Sequence, residues 1–206
     1  MQLLANSLAT VFGLCVLILL LGPVSGAHFN PAVTLAAWFT SRRPTDGLNW
    51  RDVAAYVPAQ ITGAIGGAVL ADAMFAKPLG EFSVHDRSAG HLLLGEVVAT
   101  AGLILLIFGL SRIDRATLAP AAVASYIGAA YWFTSSTSFA NPAVTIGRTF
   151  SDTFAGIVPA SVAPFIAAQL LGAVFGLGAI AAVYGRPAPV PDEVAVPNGE
   201  PEPAVS

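Results

Sequence analysis

The sequence has little charge and almost no cysteine. Only 10% of its 206 residues are Asp, Glu, Lys or Arg, whereas a soluble domain carries about 25%, which excludes an ordinary cytosolic enzyme and a disordered chain. The single cysteine, Cys15, can form neither an intrachain disulfide nor a thiolate metal cluster. The 9 Lys and Arg residues form no basic stripe, so no nucleic-acid partner is expected. The first residues carry no positive charge, which argues against a secretory signal peptide.

Long apolar runs dominate the chain instead. Hydrophobic residues make up 55% of it, and the mean hydropathy is +0.73. A helix needs about 20 apolar residues to cross a bilayer. Five stretches reach or approach that length, the fourth being the shortest: residues 3–21, 53–75, 92–110, 118–133 and 157–184. The sequence therefore predicts an all-α, multi-pass membrane protein with five transmembrane helices.

Two further apolar pieces, residues 29–39 and 139–150, are too short to span, and each carries Asn-Pro-Ala near its start. Segments of this length indicate re-entrant half-helices. Backbone that breaks its helix at membrane depth must be buried in protein or line a polar cavity. Residues 187–206 differ from all of these, because they are rich in proline and acidic residues, and we expect them to form a disordered tail.

An internal repeat is the most informative feature. Asn-Pro-Ala-Val-Thr occurs at residues 30–34 and again at 141–145, an offset of 111, and Ala-Gln-x-x-Gly-Ala follows each copy. Short interrupted segments at matching positions of a repeat mark the solute site of inverted-repeat channels and transporters. We therefore divide a channel domain of residues 1–186 into a first repeat, 1–76, and a second repeat, 91–186.

The first repeat is incomplete. The second copy of the motif is preceded by two apolar stretches, whereas the first copy is preceded by one. Shifting residues 92–110 back by 111 places the counterpart at about −19 to −1. We expect such a helix, with an acidic residue near its start, to be encoded just upstream. The alternative is a truncated product that does not conduct.

Arginine placement predicts the orientation in the membrane. Positive residues accumulate in cytoplasmic loops. Six arginines follow helices that end on the same side, and we assign that side to the cytoplasmic face of the inner (plasma) membrane: Arg42, Arg43, Arg51, Arg112, Arg115 and Arg186.

The chemistry of Asn-Pro-Ala follows from the properties of helix ends. Proline suits the first turn because its missing N–H would be unpaired there, and asparagine caps the helix while other N–H groups stay free. Two half-helices that meet at the midplane direct two positive dipole ends at one point, which favours neutral polar solutes and repels cations. Asn30 and Asn141 would donate into the lumen. The midplane residues are Asn30, Pro31, Ala32, Asn141, Pro142 and Ala143.

With Ser-Gly-Ala-His-Phe before the first motif and Gly95-Glu96 in the third stretch, the chain resembles the aquaporin and aquaglyceroporin (major intrinsic protein) family. The resemblance implies an inverted repeat of six transmembrane helices, here five, and two half-helices. It also implies homotetramers in the lipid bilayer, and no cofactor is expected. In the family, the Glu96 position braces the half-helix loops. An intramembrane acid could alternatively couple protons.

The resemblance also implies a selectivity ring of Thr10, Ala129, Ser138 and Val144. The position of Val144 is normally arginine in the family, so this ring is expected to be small and uncharged. With Thr-Ser-Ser-Thr-Ser-Phe before the second motif, the pattern is similar to bacterial members associated with arsenic detoxification. It favours passage of water, glycerol and metalloid acids such as arsenous acid.

Arg148 and His28 each have two readings. Arg148 follows Val144 by one helical turn, so it could supply a positive field in the outer vestibule, or it could be an interfacial arginine paired with Asp152. His28 could gate the lumen by its charge or be a hydrogen-bonded structural histidine. Three functional readings remain: a passive channel, a truncated product, and a secondary transporter. A transporter needs coupling acids, and only Glu96 qualifies.

Overall fold

The computed structural model describes residues 1–40 and 48–185, so the predicted tail and the arginines Arg42, Arg43 and Arg186 lie outside the described residues. Helices are the only regular elements within those ranges. In chain order they are α1 (Gln2–Ser25), α2 (Pro31–Thr40), α3 (Trp50–Met74), α4 (Gly90–Arg112), α5 (Ala119–Phe133), α6 (Pro142–Gly147) and α7 (Pro159–Tyr184).

Four of these helices are long and apolar enough to cross a membrane. α1, α3, α4 and α7 have 24, 25, 23 and 26 residues. α5 has 15 residues, and the 3-10 turn Ala116–Leu118 precedes it directly. The all-α membrane fold is therefore confirmed, with the fourth predicted stretch forming the shortest of the five long helices.

The two short apolar pieces form short helices that begin at the motif prolines. Asn30 Oδ1 accepts from the N–H of Ala32 at 2.9 Å, and Asn141 Oδ1 accepts from the N–H of Ala143 at 3.0 Å. Each asparagine thereby caps its own half-helix. The helices start a few residues later than the apolar pieces because the residues before each proline belong to the cap and its loop.

Glycines bring α7 against α4. A Cβ added to Gly172 would lie 2.5 Å from the carbonyl oxygen of Val97, and one added to Gly176 would lie 2.7 Å from that of Ala101. Only residues without a side chain permit this approach of two helix backbones. The buried core beside this pair joins α4, α5 and the loop before α6: Ala99, Leu103, Val123, Ile127, Tyr131 and Ala140.

The matching face of α3 is open. Gly63 and Gly67 correspond to Gly172 and Gly176 at an offset of 109, yet a Cβ on either would meet no atom within 4 Å among the described residues. The two repeats thus differ in packing where their sequences agree. The expected additional helix remains a prediction.

Candidate functional site

The two half-helices meet at their N-terminal ends. Asn30 Nδ2 donates to the carbonyl oxygen of Ala140 at 2.7 Å, and Asn141 Nδ2 donates to that of Phe29 at 2.9 Å. Each motif asparagine therefore binds the loop that leads into the other half-helix. The structure brings together the two motifs that the repeat predicted to meet.

This pairing leaves one donor on each asparagine. A side-chain amide has two N–H donors and one carbonyl acceptor. The oxygen caps the half-helix, and one N–H makes the bond across the midplane. Both Asn30 and Asn141 also line one cavity of the described chain. Each asparagine can thus donate one N–H into the lumen, because its other N–H makes the bond across the midplane.

A threonine and a glutamine support each motif asparagine in the same way. Thr34 Oγ1 donates to the asparagine carbonyl of its half-helix at 3.0 Å, and Thr145 Oγ1 does the same at 2.9 Å. Gln60 Nε2 donates to Thr34 at 2.9 Å, and Gln169 Nε2 donates to Thr145 at 2.8 Å. These contacts explain why Gln-x-x-Gly-Ala follows both motifs, since each glutamine anchors the half-helix before it.

Glu96 lies at the centre of the second repeat and is fully buried. Its Oε1 accepts from the N–H of Phe139 at 2.8 Å, and its Oε2 accepts from the N–H of Ala140 at 2.8 Å. Gln169 Nε2 donates to Oε2 at 2.6 Å. Three donors therefore converge on one carboxylate, and two of them belong to the loop that receives the bond from Asn30. This arrangement supports the role of a brace.

His28 of the first repeat is equivalent to Phe139 of the second, at the same offset of 111 residues. Its Nδ1 lies 3.2 Å from Thr34 Oγ1, and its carbonyl oxygen accepts from Gln60 Nε2 at 2.6 Å. Its ring packs at a tilt on Tyr56, with centroids 5.5 Å apart. These contacts favour the structural reading of this histidine over a gate, although it also lines the cavity.

A cavity of about 430 Å³ passes both motifs. It extends from Ser111, near the C-terminal end of α4, past Asn30 and Asn141 to Arg148. Its wall is mostly apolar, with polar groups at the midplane and at the Arg148 end. Such a wall guides small solutes while offering few hydrogen bonds.

Three of the four predicted ring residues line the cavity, and the fourth does not. Thr10, Ser138 and Val144 belong to the wall, whereas Ala129 is exposed on the outside of α5. Tyr131 takes its place, with its hydroxyl 3.1 Å from Thr10 Oγ1. The prediction of Ala129 is wrong because an error of two residues turns a helix position by about 200°. The cavity wall beside Thr10 therefore contains an aromatic side chain.

Arg148 lines the cavity and is not an arginine at the membrane–water interface. Its Nη2 donates to the Tyr131 hydroxyl at 2.8 Å, and its guanidinium carbon lies 4.2 Å from the centroid of the Phe139 ring. Asp152 instead lies 3.6 Å from His85 Nδ1. The alternative pairing of Arg148 with Asp152 is therefore wrong, and the vestibule reading gains support.

Sequence reasoning missed Arg87. This residue precedes α4 and resembles an exposed loop arginine, yet it is only 8% exposed. Its guanidinium carbon lies 4.8 Å from the centroid of the Phe139 ring, which Arg148 also contacts. Burial, reinforced by the positive charge of Arg148, lowers the pKa of Arg87 to about 10. Its three nitrogens donate at 2.8–3.1 Å to the backbone carbonyls of Gly156, Ser136 and Phe154.

Comparison with known proteins gives one match over most of the chain and further matches over about half of it. Aquaglyceroporin AqpS of Rhizobium meliloti (strain 1021) is 48% identical over 177 residues, which cover 86% of this chain and 73% of that protein. Aquaporin NIP1-1 of Zea mays is 37% identical over 112 residues, 52% of this chain and 38% of that protein. Aquaporin-2 of Rhizopus delemar is 36% identical over 100 residues, 48% of this chain and 27% of that protein. The chain thus spans less than half the length of the last two relatives.

Residues 1–138 match the family described as Major intrinsic protein. This match covers more than half of the chain, and the AqpS match extends over most of it. Membrane-spanning helices, paired half-helices and a cavity that passes between them agree with both. The chain therefore belongs to the major intrinsic protein family, whose members are membrane channels and not enzymes.

Proposed function

We propose that this chain forms a passive channel for small neutral solutes, namely water, glycerol and metalloid acids such as arsenous acid. One observation carries the proposal: a single cavity passes the N-terminal ends of both half-helices and both motif asparagines. We further propose that the channel works as a homotetramer in the inner (plasma) membrane.

The electrostatics of the midplane support neutral solutes. The N-terminal dipole ends of α2 and α6 meet at the midplane, where Asn30 and Asn141 each line the cavity with one uncommitted side-chain N–H. A cation there meets positive potential from both sides and loses its hydration in a mostly apolar wall, whereas a neutral hydroxyl accepts from the free asparagine N–H groups. Glu96 has its oxygens occupied by three donors, which favours a channel over a proton-coupled transporter.

The ring supports solutes larger than water. Val144 lines the cavity without charge. Thr10 and Ser138 are small, and Tyr131 is the bulky side chain beside Thr10. The similarity to a protein named an aquaglyceroporin, 48% identical, points in the same direction. Arsenous acid is neutral near pH 7 and presents hydroxyl groups like those of glycerol, so the same ring would accept it.

The test uses the purified full chain in lipid vesicles. We expect faster osmotic shrinkage and reswelling in glycerol than in protein-free vesicles, and faster arsenite accumulation, without any imposed ion gradient. Permeability to water alone would contradict the wide ring. Vesicles that pass neither water nor solute would support the truncated reading, and uptake that requires an ion gradient would support a transporter.

Val144 provides the matched pair of variants. Val144→Arg narrows the ring and adds a cation, so we expect glycerol permeability to fall more than water permeability. Val144→Ala removes volume without charge and is expected to leave the glycerol-to-water ratio unchanged or higher. Solute profiles that are identical in the two variants would show that Val144 does not line the constriction.

A further inference from the structure

Two buried polar groups at the Arg148 end of the cavity have no hydrogen-bond partner among the described residues. They are Ser138 Oγ, on a side chain that is 2% exposed, and Arg148 Nη1. Both residues line the cavity. A buried donor or acceptor without a partner costs free energy, so these groups are suited to a ligand that enters the cavity.

The chemical character of the two groups defines that ligand. A guanidinium nitrogen only donates, whereas a serine hydroxyl both donates and accepts. A solute hydroxyl can accept from Arg148, and a second hydroxyl of the same solute can donate to Ser138. Resting on the proposed channel function, we propose that Ser138 and Arg148 form a two-point subsite for polyhydroxyl solutes at this end of the cavity.

Arg148 is held in place before any solute arrives. Its Nη2 is committed to the Tyr131 hydroxyl at 2.8 Å, and its guanidinium carbon lies 4.2 Å from the Phe139 centroid. Fixing a side chain in its binding geometry lowers the entropy cost of each solute contact. Nη1 is then the donor left over for the solute.

Phe139 is itself fixed from two further sides. Its N–H is bound by Glu96 at 2.8 Å, and its ring meets Phe165 edge-on with centroids 5.3 Å apart. Arg87, anchored by three backbone carbonyls, contacts the same ring. Arg87 thus helps to hold the Phe139 ring in place.

The subsite also restores the cation that Val144 removes from the ring. Arg148 follows Val144 by four residues, one helical turn, and α6 gives way at Arg148 to a 3-10 turn, Arg148–Phe150. The positive charge is therefore displaced along the cavity and not lost. This displacement leaves a small, uncharged side chain at Val144, while a charged donor meets the solute one helical turn further along.

The experiment measures glycerol uptake against concentration, and proton leakage, in vesicles that contain the full chain. Loss of one charge-assisted hydrogen bond corresponds to about a tenfold change in binding. We expect Arg148→Leu to raise the half-saturating glycerol concentration about 10-fold and to increase proton leakage. Ser138→Ala, which removes a neutral group, should raise it roughly 3-fold without added leakage.

Arg148→Lys separates charge from geometry. Lysine retains the cation but loses the planar fork, so proton exclusion should recover while the half-saturating concentration stays raised. This variant and Ser138→Ala keep the test decisive if Arg148→Leu does not fold. The matched control is Arg51→Leu, because Arg51 also lies over an aromatic ring, 5.7 Å from the centroid of Trp50, but outside the cavity.

The outcomes distinguish the subsite from the channel itself. If the Arg148 and Ser138 variants take up glycerol with the same half-saturating concentration as the wild type, the subsite is overturned and the proposed function stands. Absence of glycerol uptake by the wild type would overturn the proposed function. Equal shifts in Arg51→Leu and Arg148→Leu would also overturn the subsite, because they would show a general effect of lost charge.

Discussion

Replacing Glu96 with Gln keeps the size of the side chain but removes its charge and one of its two acceptor oxygens. The peptide N–H groups of Phe139 and Ala140 donate to different oxygens of this carboxylate, each at 2.8 Å. The amide NH₂ of Gln must therefore face at least one of these donors. One N–H of the loop before α6 loses its acceptor whichever way the amide is turned.

The size of the effect follows from these contacts. A buried N–H left without a partner costs about 1–3 kcal/mol, and a hydrogen bond to a charged acceptor is worth about 1 kcal/mol more than a neutral one. The hydrogen bonds that survive in Glu96→Gln are to a neutral acceptor and lose this extra stabilisation. Removal of a buried charge offsets part of the loss, because a buried charge is itself destabilising. We expect a net loss of about 3 kcal/mol in the free energy of unfolding.

Asp72→Asn is the matched control, because it also neutralises a buried carboxylate. Asp72 is 4% exposed, and its Oδ1 accepts from Ser151 Oγ at 2.8 Å. Its Oδ2 has no partner among the described residues, so the NH₂ of Asn opposes no donor there. We expect this variant to change the free energy of unfolding by less than about 1 kcal/mol.

Titration with a denaturing detergent in mixed micelles, followed by far-ultraviolet circular dichroism, compares the two variants. If Glu96 braces the loop, the detergent concentration at half-unfolding should be much lower for Glu96→Gln than for Asp72→Asn. If both midpoints fall equally, the loss reflects buried charge in general. An unchanged midpoint for Glu96→Gln would refute the assignment of Glu96 as the support of the loop.

Two further pairs of variants test packing and capping by the same titration. Gly176→Ala would place a Cβ 2.7 Å from the carbonyl oxygen of Ala101, so it should lower the free energy of unfolding by about 1–3 kcal/mol. The Cβ of Gly67→Ala meets no atom within 4 Å, so this variant should be neutral or stabilising. Equal effects of the two variants would contradict the open face of α3. Asn141→Ala removes both a helix cap and the bond across the midplane, whereas Asn49→Ala removes only the exposed cap of α3. Asn141→Ala should therefore lower the free energy of unfolding by about 1 kcal/mol more than Asn49→Ala. Equal losses would contradict the contribution of the midplane bond.

Features that depend on local sequence were predictable. Asparagine before proline is a cap followed by a first helical turn, so α2 and α6 begin at Pro31 and Pro142 whatever surrounds them. The offset of 111 residues also predicted that the motifs meet, because two copies of one half-helix can face each other across a pseudo-twofold axis. Glu96 was singled out because it is a carboxylate inside an apolar run, whereas its role as a brace came from the family resemblance.

Features that depend on helix phase and loop path were not predictable. The choice of Ala129 required the rotation of α5, and counting back from Asn141 does not supply it, because the irregular residues 134–141 lie between α5 and α6. Tyr131, two residues further on, occupies the wall instead. The burial of Arg87 depends on how its loop folds against the carbonyls around α6, and no periodicity in the sequence reports that path.

The bonds between the two motif asparagines and the opposite loops also set an order of assembly. Asn30 donates to Ala140, a residue 110 positions later in the chain. At synthesis rates of about 5–20 residues per second, that acceptor is made roughly 5–20 s after Asn30. During this interval α2 is already made while its cap residue has no cross-midplane acceptor. The midplane therefore closes only after the chain has been made as far as the second motif.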